Sequence, residues 1–207
     1  MIEKVTPGEI EQRSFEIISQ ILGDKKIAPE NELVVKRVIH TTADFDYADN
    51  LAFSPHAVEK GIAALRSGCD IITDTQMAKA GINKKILEQL GGQVHCFIAD
   101  ADVAAEAKER NVTRATVSME RAAALAKPCI FAIGNAPTAL LSLEQLMLQG
   151  KLQPALIIGV PVGFVNVVES KERIMAAAAP YIVAKGRKGG SNVAAAICNA
   201  MLYQILR

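Results

Sequence analysis

The stretch CIFAIGNAPTAL, residues 129–140, decides how this chain folds. Its first five residues are apolar without a break. A strand that is apolar throughout has both faces buried, as happens inside a parallel sheet covered by helices. The small polar turn Gly134-Asn135-Ala136 follows, and a helical pattern then runs over 137–149. The same order of run, turn and helix recurs along the chain. DIIT (70–73), VHCFIA (94–99), ALIIGV (155–160) and YIVA (181–184) are the other runs. Helical patterns occupy positions around 83–90, 101–110, 114–126, 166–177 and 190–206. Five such strands predict an α/β fold: a three-layer α/β/α, doubly wound domain over 68–207 with a five-stranded, mostly parallel sheet.

Residues 1–67 read as a helical region packed on or beside that core, so 1–207 forms one domain. A helix is expected over 7–22, with Pro7 in its first turn, Glu9 and Glu11 at its positive end and Gly23 at its stop. A second runs from Pro29-Glu30 to His40, and a third from Ser54-Pro55 through Leu65 to Gly68. No internal repeat, low-complexity tract or linker interrupts the chain.

Composition bounds the rest. Half of the 207 residues are hydrophobic, yet aromatics are 4% and tryptophan is absent. The core is therefore built from Ala, Ile, Leu and Val, which suits α/β layering. A net charge of +1 argues against nucleic-acid binding through a broad basic surface. No window reaches the ~18 apolar residues of a membrane span. Charges in MIEKVTPGEIEQRSF stand where a signal peptide needs apolar residues, so a cytoplasmic protein is expected. Cys69, Cys96, Cys129 and Cys198 form no C-x-x-C pair and read as buried, reduced thiols rather than a metal site.

In an open parallel sheet the ligand sits outside the carboxyl ends of the strands. Four of the five runs end there in small, polar or glycine-rich turns: Thr73-Asp74-Thr75-Gln76-Met77, Gly134-Asn135-Ala136, Val160-Pro161-Val162-Gly163-Phe164 and Lys185-Gly186-Arg187-Lys188-Gly189-Gly190. In the last, Gly186, Gly189 and Gly190 allow close backbone approach, and Arg187 and Lys188 favour an anion. Neither G-x-x-x-x-G-K-[ST] nor a G-x-G-x-x-G after the first strand is present, which counts against a nucleotide or flavin site.

The segment VVKRVIHTTADFD, residues 34–46, ends an apolar helical run in His40, Thr41, Thr42, Asp44 and Asp46. Imidazole is the side chain best placed to exchange a proton near neutral pH. Arg37 lies one turn earlier and can bind an acidic ligand or pair with a nearby glutamate. Arg13 and Ser14 sit in a core-like helix. Thr113 can cap a helix whose first residue, Arg114, opposes the macrodipole and so needs another reason to be there. His56 reads as a first-turn surface residue and His95 as lying within a strand, each without a polar cluster.

Taken together, IEQRSFEII (10–18), KRVIHTTADF (36–45), TDTQM (73–77), Thr113-Arg114, AIGNAPTAL (132–140), IIGVPVGFVNVVESK (157–171) and GRKGGSNVAAA (186–196) resemble the precorrin-8X methylmutases of cobalamin biosynthesis. The likeness runs from the N-terminus to the last helix. It implies a flavodoxin-like homodimer that moves a methyl group from C-11 to C-12 of (cobalt-)precorrin-8, giving cobyrinate or hydrogenobyrinate. It also implies no cofactor and no bound metal. By the resemblance, His40 is the acid–base residue, and Ser14, Arg37 and Arg114 contact substrate. A tetrapyrrole rimmed by carboxylates wants spread cations and N–H groups around an apolar cleft. Arg13, Thr41, Thr42, Asn135, Lys171, Arg187, Gly189 and Gly190 are further candidates for that surface. Asp44 and Asp46 take no assigned role. A corrinoid carrier without turnover is the other class that would fit.

Overall fold

The computed structural model describes residue 6, residues 9–125 and residues 127–205. Its elements are α1 (Ile10–Leu22), α2 (Pro29–Thr42), α3 (Tyr47–Asn50), β1 (Leu51–Phe53), α4 (Ala57–Arg66), β2 (Asp70–Thr73), α5 (Gln76–Gly81), α6 (Lys84–Gln89) and β3 (Val94–His95). There follow α7 (Ala101–Glu109), α8 (Arg114–Ala123), β4 (Cys129–Ile133), α9 (Pro137–Leu148), β5 (Leu156–Gly159), α10 (Val167–Ala176), β6 (Tyr181–Ala184) and α11 (Ser191–Ile205). The start expected for the first helix at Pro7 lies outside the described residues, and α1 itself begins at Ile10.

The six strands form one sheet in the order β1-β6-β5-β4-β2-β3. The pairs β2–β3, β2–β4, β4–β5 and β5–β6 are parallel. The count corrects the expected five. The sixth strand is β1, which pairs antiparallel with β6 through Leu51↔Ala184 and Phe53↔Ile182. Residues 1–67 are therefore not wholly helical, because they supply an edge strand of the same sheet. A three-residue edge strand gives neither a long apolar run nor an alternation, so it leaves no local signal. Strand β3 is also shorter than the run that predicted it, covering Val94 and His95 only.

Successive strand residues face opposite sides of a sheet, and both sides here are buried. Ile71, Ile130, Ala132, Leu156, Ile158 and Ile182 pack with α2, α4 and α11. Ile72, Phe131, Ile133, Ile157 and Val183 pack with α8, α9 and α10. Each such aliphatic side chain removed from water contributes about 1.5–3 kcal/mol, an upper estimate against a compact unfolded chain. Helix α1 packs on α2 as an outer element.

The parallel direction puts the carboxyl ends of β2, β4, β5 and β6 on one edge. The antiparallel β1 starts at that edge, where the Lys185 amide donates to the Asn50 carbonyl at 2.8 Å. The end of α2, four strand-end turns and the start of α11 thus meet at one end of the domain.

Candidate active site

His40 occupies the last turn of α2 and is exposed. The Phe15 ring, on α1, meets the imidazole edge-on at 5.7 Å and 88°. This contact fixes the orientation of one ring against the other and leaves the imidazole open to a ligand. Below it Arg37 is buried. Its guanidinium lies 5.0 Å from the centroids of both Phe15 and Tyr203. Nη1 and Nη2 donate to Glu11 at 2.9 and 2.6 Å. Of the two readings open for Arg37, the structure shows the pairing with a glutamate. Its Nε is buried without a partner among the described residues.

The hydroxyls near His40 serve their own helices. Thr41 donates to the Arg37 carbonyl at 2.9 Å and Thr42 to that of Val38 at 2.8 Å. Ser14 donates to the Ile10 carbonyl at 2.7 Å, and Arg13 donates to Glu16 at 3.2 Å. Ala43 then turns left-handed at φ 54°, and its amide closes α2 on the Ile39 carbonyl at 2.7 Å. A non-glycine residue in that conformation is held there by its surroundings.

Asp44 and Asp46, unassigned by sequence, hold the end of α2 to the β6–α11 loop. Lys188 Nζ donates to Asp44 at 2.6 Å and to Asp46 at 2.7 Å. The hydrogen bond from Lys188 pulls the Asp44 carboxyl below its usual value, and the two carboxylates raise the Lys188 ammonium. The loop is also anchored from beneath by Lys171, which is 1% exposed. Its Nζ donates to the carbonyls of Gly186 at 2.8 Å and Lys188 at 2.9 Å. Burial lowers its pKa to about 8. Lys171 therefore positions the loop, whose other cations, Lys185, Arg187 and the paired Lys188, are exposed. Of the glycines of this loop, Gly189 lies against backbone. A Cβ on Gly189 would stand 2.1 Å from the Val160 carbonyl oxygen. The Gly190 amide donates to that same oxygen at 2.9 Å.

On the neighbouring strands the polar residue that matters is Asp74, 2% exposed. Its carboxylate accepts the amides of Gly134, Asn135 and Ala136 at 2.9, 2.8 and 2.6 Å. These are the free N–H groups ahead of α9, so the chain fills that anion site with its own carboxylate. Burial raises the Asp74 pKa, and the three amide bonds offset part of the rise. Gly134 is required there, since a Cβ would lie 2.7 Å from Ser191 Cα. The Asn135 side chain is exposed.

Arg114 opens α8, with Thr113 as the cap expected from sequence, its hydroxyl accepting the Thr116 amide at 3.1 Å. The Arg114 guanidinium is exposed and reaches the Ile98 carbonyl at 3.5 Å. Thr113 also meets Thr138, at the start of α9, at 2.9 Å. Arg114 thus stands at the sheet edge on the helical layer opposite α2. Among the described residues, no three His, Cys, Asp or Glu side chains gather as a metal site. The four cysteines are free and buried. Burial pushes the Cys69 thiol up to about 12 and the Cys129 thiol up to about 11, away from the reactive thiolate.

Sequence reading missed four contributors: Glu11, Tyr203, Asp74 and the Lys171–loop anchor. It also placed no polar cluster at His95, whose Nε2 lies 3.0 Å from Asp70; Asp70 in turn accepts from Lys127 at 2.8 Å. Only Asp74 carried a local signal: a carboxylate directly after a buried strand needs donors.

Comparison with known proteins agrees with this architecture. The family model for precorrin-8X methylmutase matches residues 9–204. A cobalt-precorrin-8 methylmutase of Priestia megaterium is 47% identical over 95% of this chain and 88% of its own. A precorrin-8X methylmutase of Pseudomonas aeruginosa is 39% identical over 97% and 98%. The crystal structure of the Thermus thermophilus precorrin-8X methylmutase superposes with a TM-score of 0.87 at 39% identity, covering 96% of this chain and 98% of that one. With a shared fold, near-complete coverage and identities of this size, the chain belongs to the precorrin-8X methylmutase family.

Proposed function

We propose that this protein is an isomerase of corrin biosynthesis. It moves a methyl group within one molecule from C-11 to C-12 of (cobalt-)precorrin-8, giving cobyrinate or hydrogenobyrinate. The observation that carries the reading is the family match across residues 9–204. The cobalt-containing substrate is favoured, because relatives at 47%, 47% and 46% identity are cobalt-precorrin-8 methylmutases. Two relatives named for precorrin-8X are at 39% and 32%, beside further cobalt-precorrin-8 methylmutases at 42% and 38%.

In this reading His40 exchanges the proton. Protonation makes the conjugated macrocycle electron-poor and lowers the barrier to a sigmatropic methyl shift. The exposed imidazole, braced by Phe15, can present its N–H to a ring laid over the end of α2. A positioned acid–base group supplies about 10²–10⁴-fold, and holding the ring in one conformation supplies more. Arg114, Arg187 and Asn135 are exposed at the sheet edge and are the proposed carboxylate partners. Ser14, Arg13, Thr41 and Thr42 line the α1–α2 side. Arg37 braces His40 through Phe15, and Gly189, Gly190 and Lys171 shape the loop that carries Arg187. The methyl shift is intramolecular and needs no donor or cofactor.

The working form proposed is a cytoplasmic homodimer. The stripe Ile10, Ile17 and Ile21 on α1, exposed at 52%, 39% and 61%, is the surface best suited to a second copy. No described helix is long and apolar enough to cross a membrane. Four buried free thiols suit a reducing compartment. Single-turnover mixing with cobalt-precorrin-8 and precorrin-8 tests the activity. An isomerase changes the chromophore, whereas unchanged absorbance with tight binding would make the protein a carrier.

A further inference from the structure

β5 is a central strand, with β6 on one side and β4 on the other. The turn that follows it is unlike its neighbours. Val162, Phe164 and Val165 are 47%, 82% and 78% exposed. A lone exposed apolar residue is ordinary, but three on one turn, beside polar turns on both sides, mark a contact surface. The turn is also held in place. The Val160 amide donates to the Ile133 carbonyl at 2.9 Å, and the Gly163 amide to the Arg187 carbonyl at 3.2 Å. Val167, at the start of α10, is buried. The apolar tip therefore stands fixed between Arg187 and Lys185 on the β6 side and Asn135 on the β4 side.

The geometry points to Phe164 and Val165 as the apolar seat against which the face of a conjugated, carboxylate-rimmed macrocycle rests. This inference rests on the corrin reading proposed above and deepens it. A flat ligand with an apolar face and an anionic rim is complementary to an apolar tip with cations and an amide around it. Stacking on Phe164 would fix the tilt of the ring, while Arg187 takes a rim carboxylate. A second copy of the chain is better served by the stripe Ile10, Ile17 and Ile21, which runs along one helix.

The test is the doubly substituted Phe164→Ser/Val165→Ser protein beside Phe164→Leu. Both sites are exposed, so the fold should be kept. Cobyrinate is titrated and followed by absorbance, with sedimentation velocity on the same samples. The double variant should bind about tenfold to a hundredfold more weakly, from the apolar area it no longer covers. Phe164→Leu, which keeps apolar area but loses the ring face, should weaken binding less than the double variant does, by about threefold to tenfold, and sedimentation should not change. Cobyrinate affinity of the double variant within about twofold of wild type overturns the inference. So does a shift to a smaller species with binding retained, which would make the turn a subunit contact. If the wild-type protein neither binds cobyrinate nor converts either precorrin, the corrin reading itself has failed.

Discussion

Replacing Lys171 with methionine separates the cost of a buried charge from the order it imposes. The residue is 1% exposed, and its ammonium has two carbonyl partners and, among the described residues, no carboxylate at hydrogen-bond distance. Its folded pKa of about 8 lies below the 10.5 of a free lysine. Between those values the unfolded chain binds more protons than the folded one, so stability rises with pH. The penalty is fully present below pH ~8 and vanishes above pH ~10.5. It amounts to about 3 kcal/mol at 1.36 kcal/mol per pKa unit. Methionine is close in volume, one atom shorter and uncharged, so Lys171→Met removes the penalty. It also removes two charge-assisted bonds worth about 1.5–3 kcal/mol each in a favourable setting. Gly186 and Lys188 are exposed, so their carbonyls can recover water. At pH 7 the two effects partly cancel, and the variant should lie between equal stability and about 3 kcal/mol below wild type. Urea denaturation of both proteins at pH 7, 8, 9 and 10 gives the difference curve, in which the other titrating groups drop out. Wild type should gain on the variant by about 2–3 kcal/mol across that range. Cobyrinate affinity of the variant should fall about tenfold at pH 7, because the loop carrying Arg187 is freed. A flat difference curve would refute the buried-cation assignment. Unchanged affinity would refute its positioning role.

Three further substitutions probe the frame around the site. Arg37→Ala should destabilise by about 2–4 kcal/mol in urea, since it removes two ring contacts and the pairing with Glu11. Gly189→Ala drives a Cβ into the Val160 carbonyl and should cost at least ~2 kcal/mol together with most corrin affinity. Asp74→Asn presents an NH₂ to a turn that supplies only donors. It should cost about 2–4 kcal/mol, seen as a thermal midpoint lower by roughly 4–15 °C.

What the sequence conveyed and what it withheld follow from the range of each interaction. Apolar runs reported the parallel strands, because burial on both faces is written into consecutive residues. CIFAI and YIVA match β4 and β6 residue for residue. Leu51–Phe53 gave no such signal, because an edge strand of three residues is decided by the partner it meets. The site divides in the same way. His40 was legible as a histidine ending an apolar helix, and Thr113 as a cap. Arg37 was legible as a cation but not as the partner of Glu11, which lies 26 positions away in sequence. Lys171 looked like a surface anchor for carboxylates because lysine usually is one. Only the folded chain places its ammonium under the loop of Gly186 and Lys188. Gly189 was read as letting the backbone approach a ligand, and what its Cα approaches in the folded chain is the Val160 carbonyl.

The central claim is that His40 handles the proton of the methyl shift. Single-turnover mixing of His40→Ala with cobalt-precorrin-8, beside wild type and with circular dichroism confirming the fold, tests it directly. His40 is exposed, so the variant should fold and bind as wild type does. We predict a rate of chromophore change lower by about 10²–10⁴-fold. Conversion within a few-fold of wild type would contradict the account.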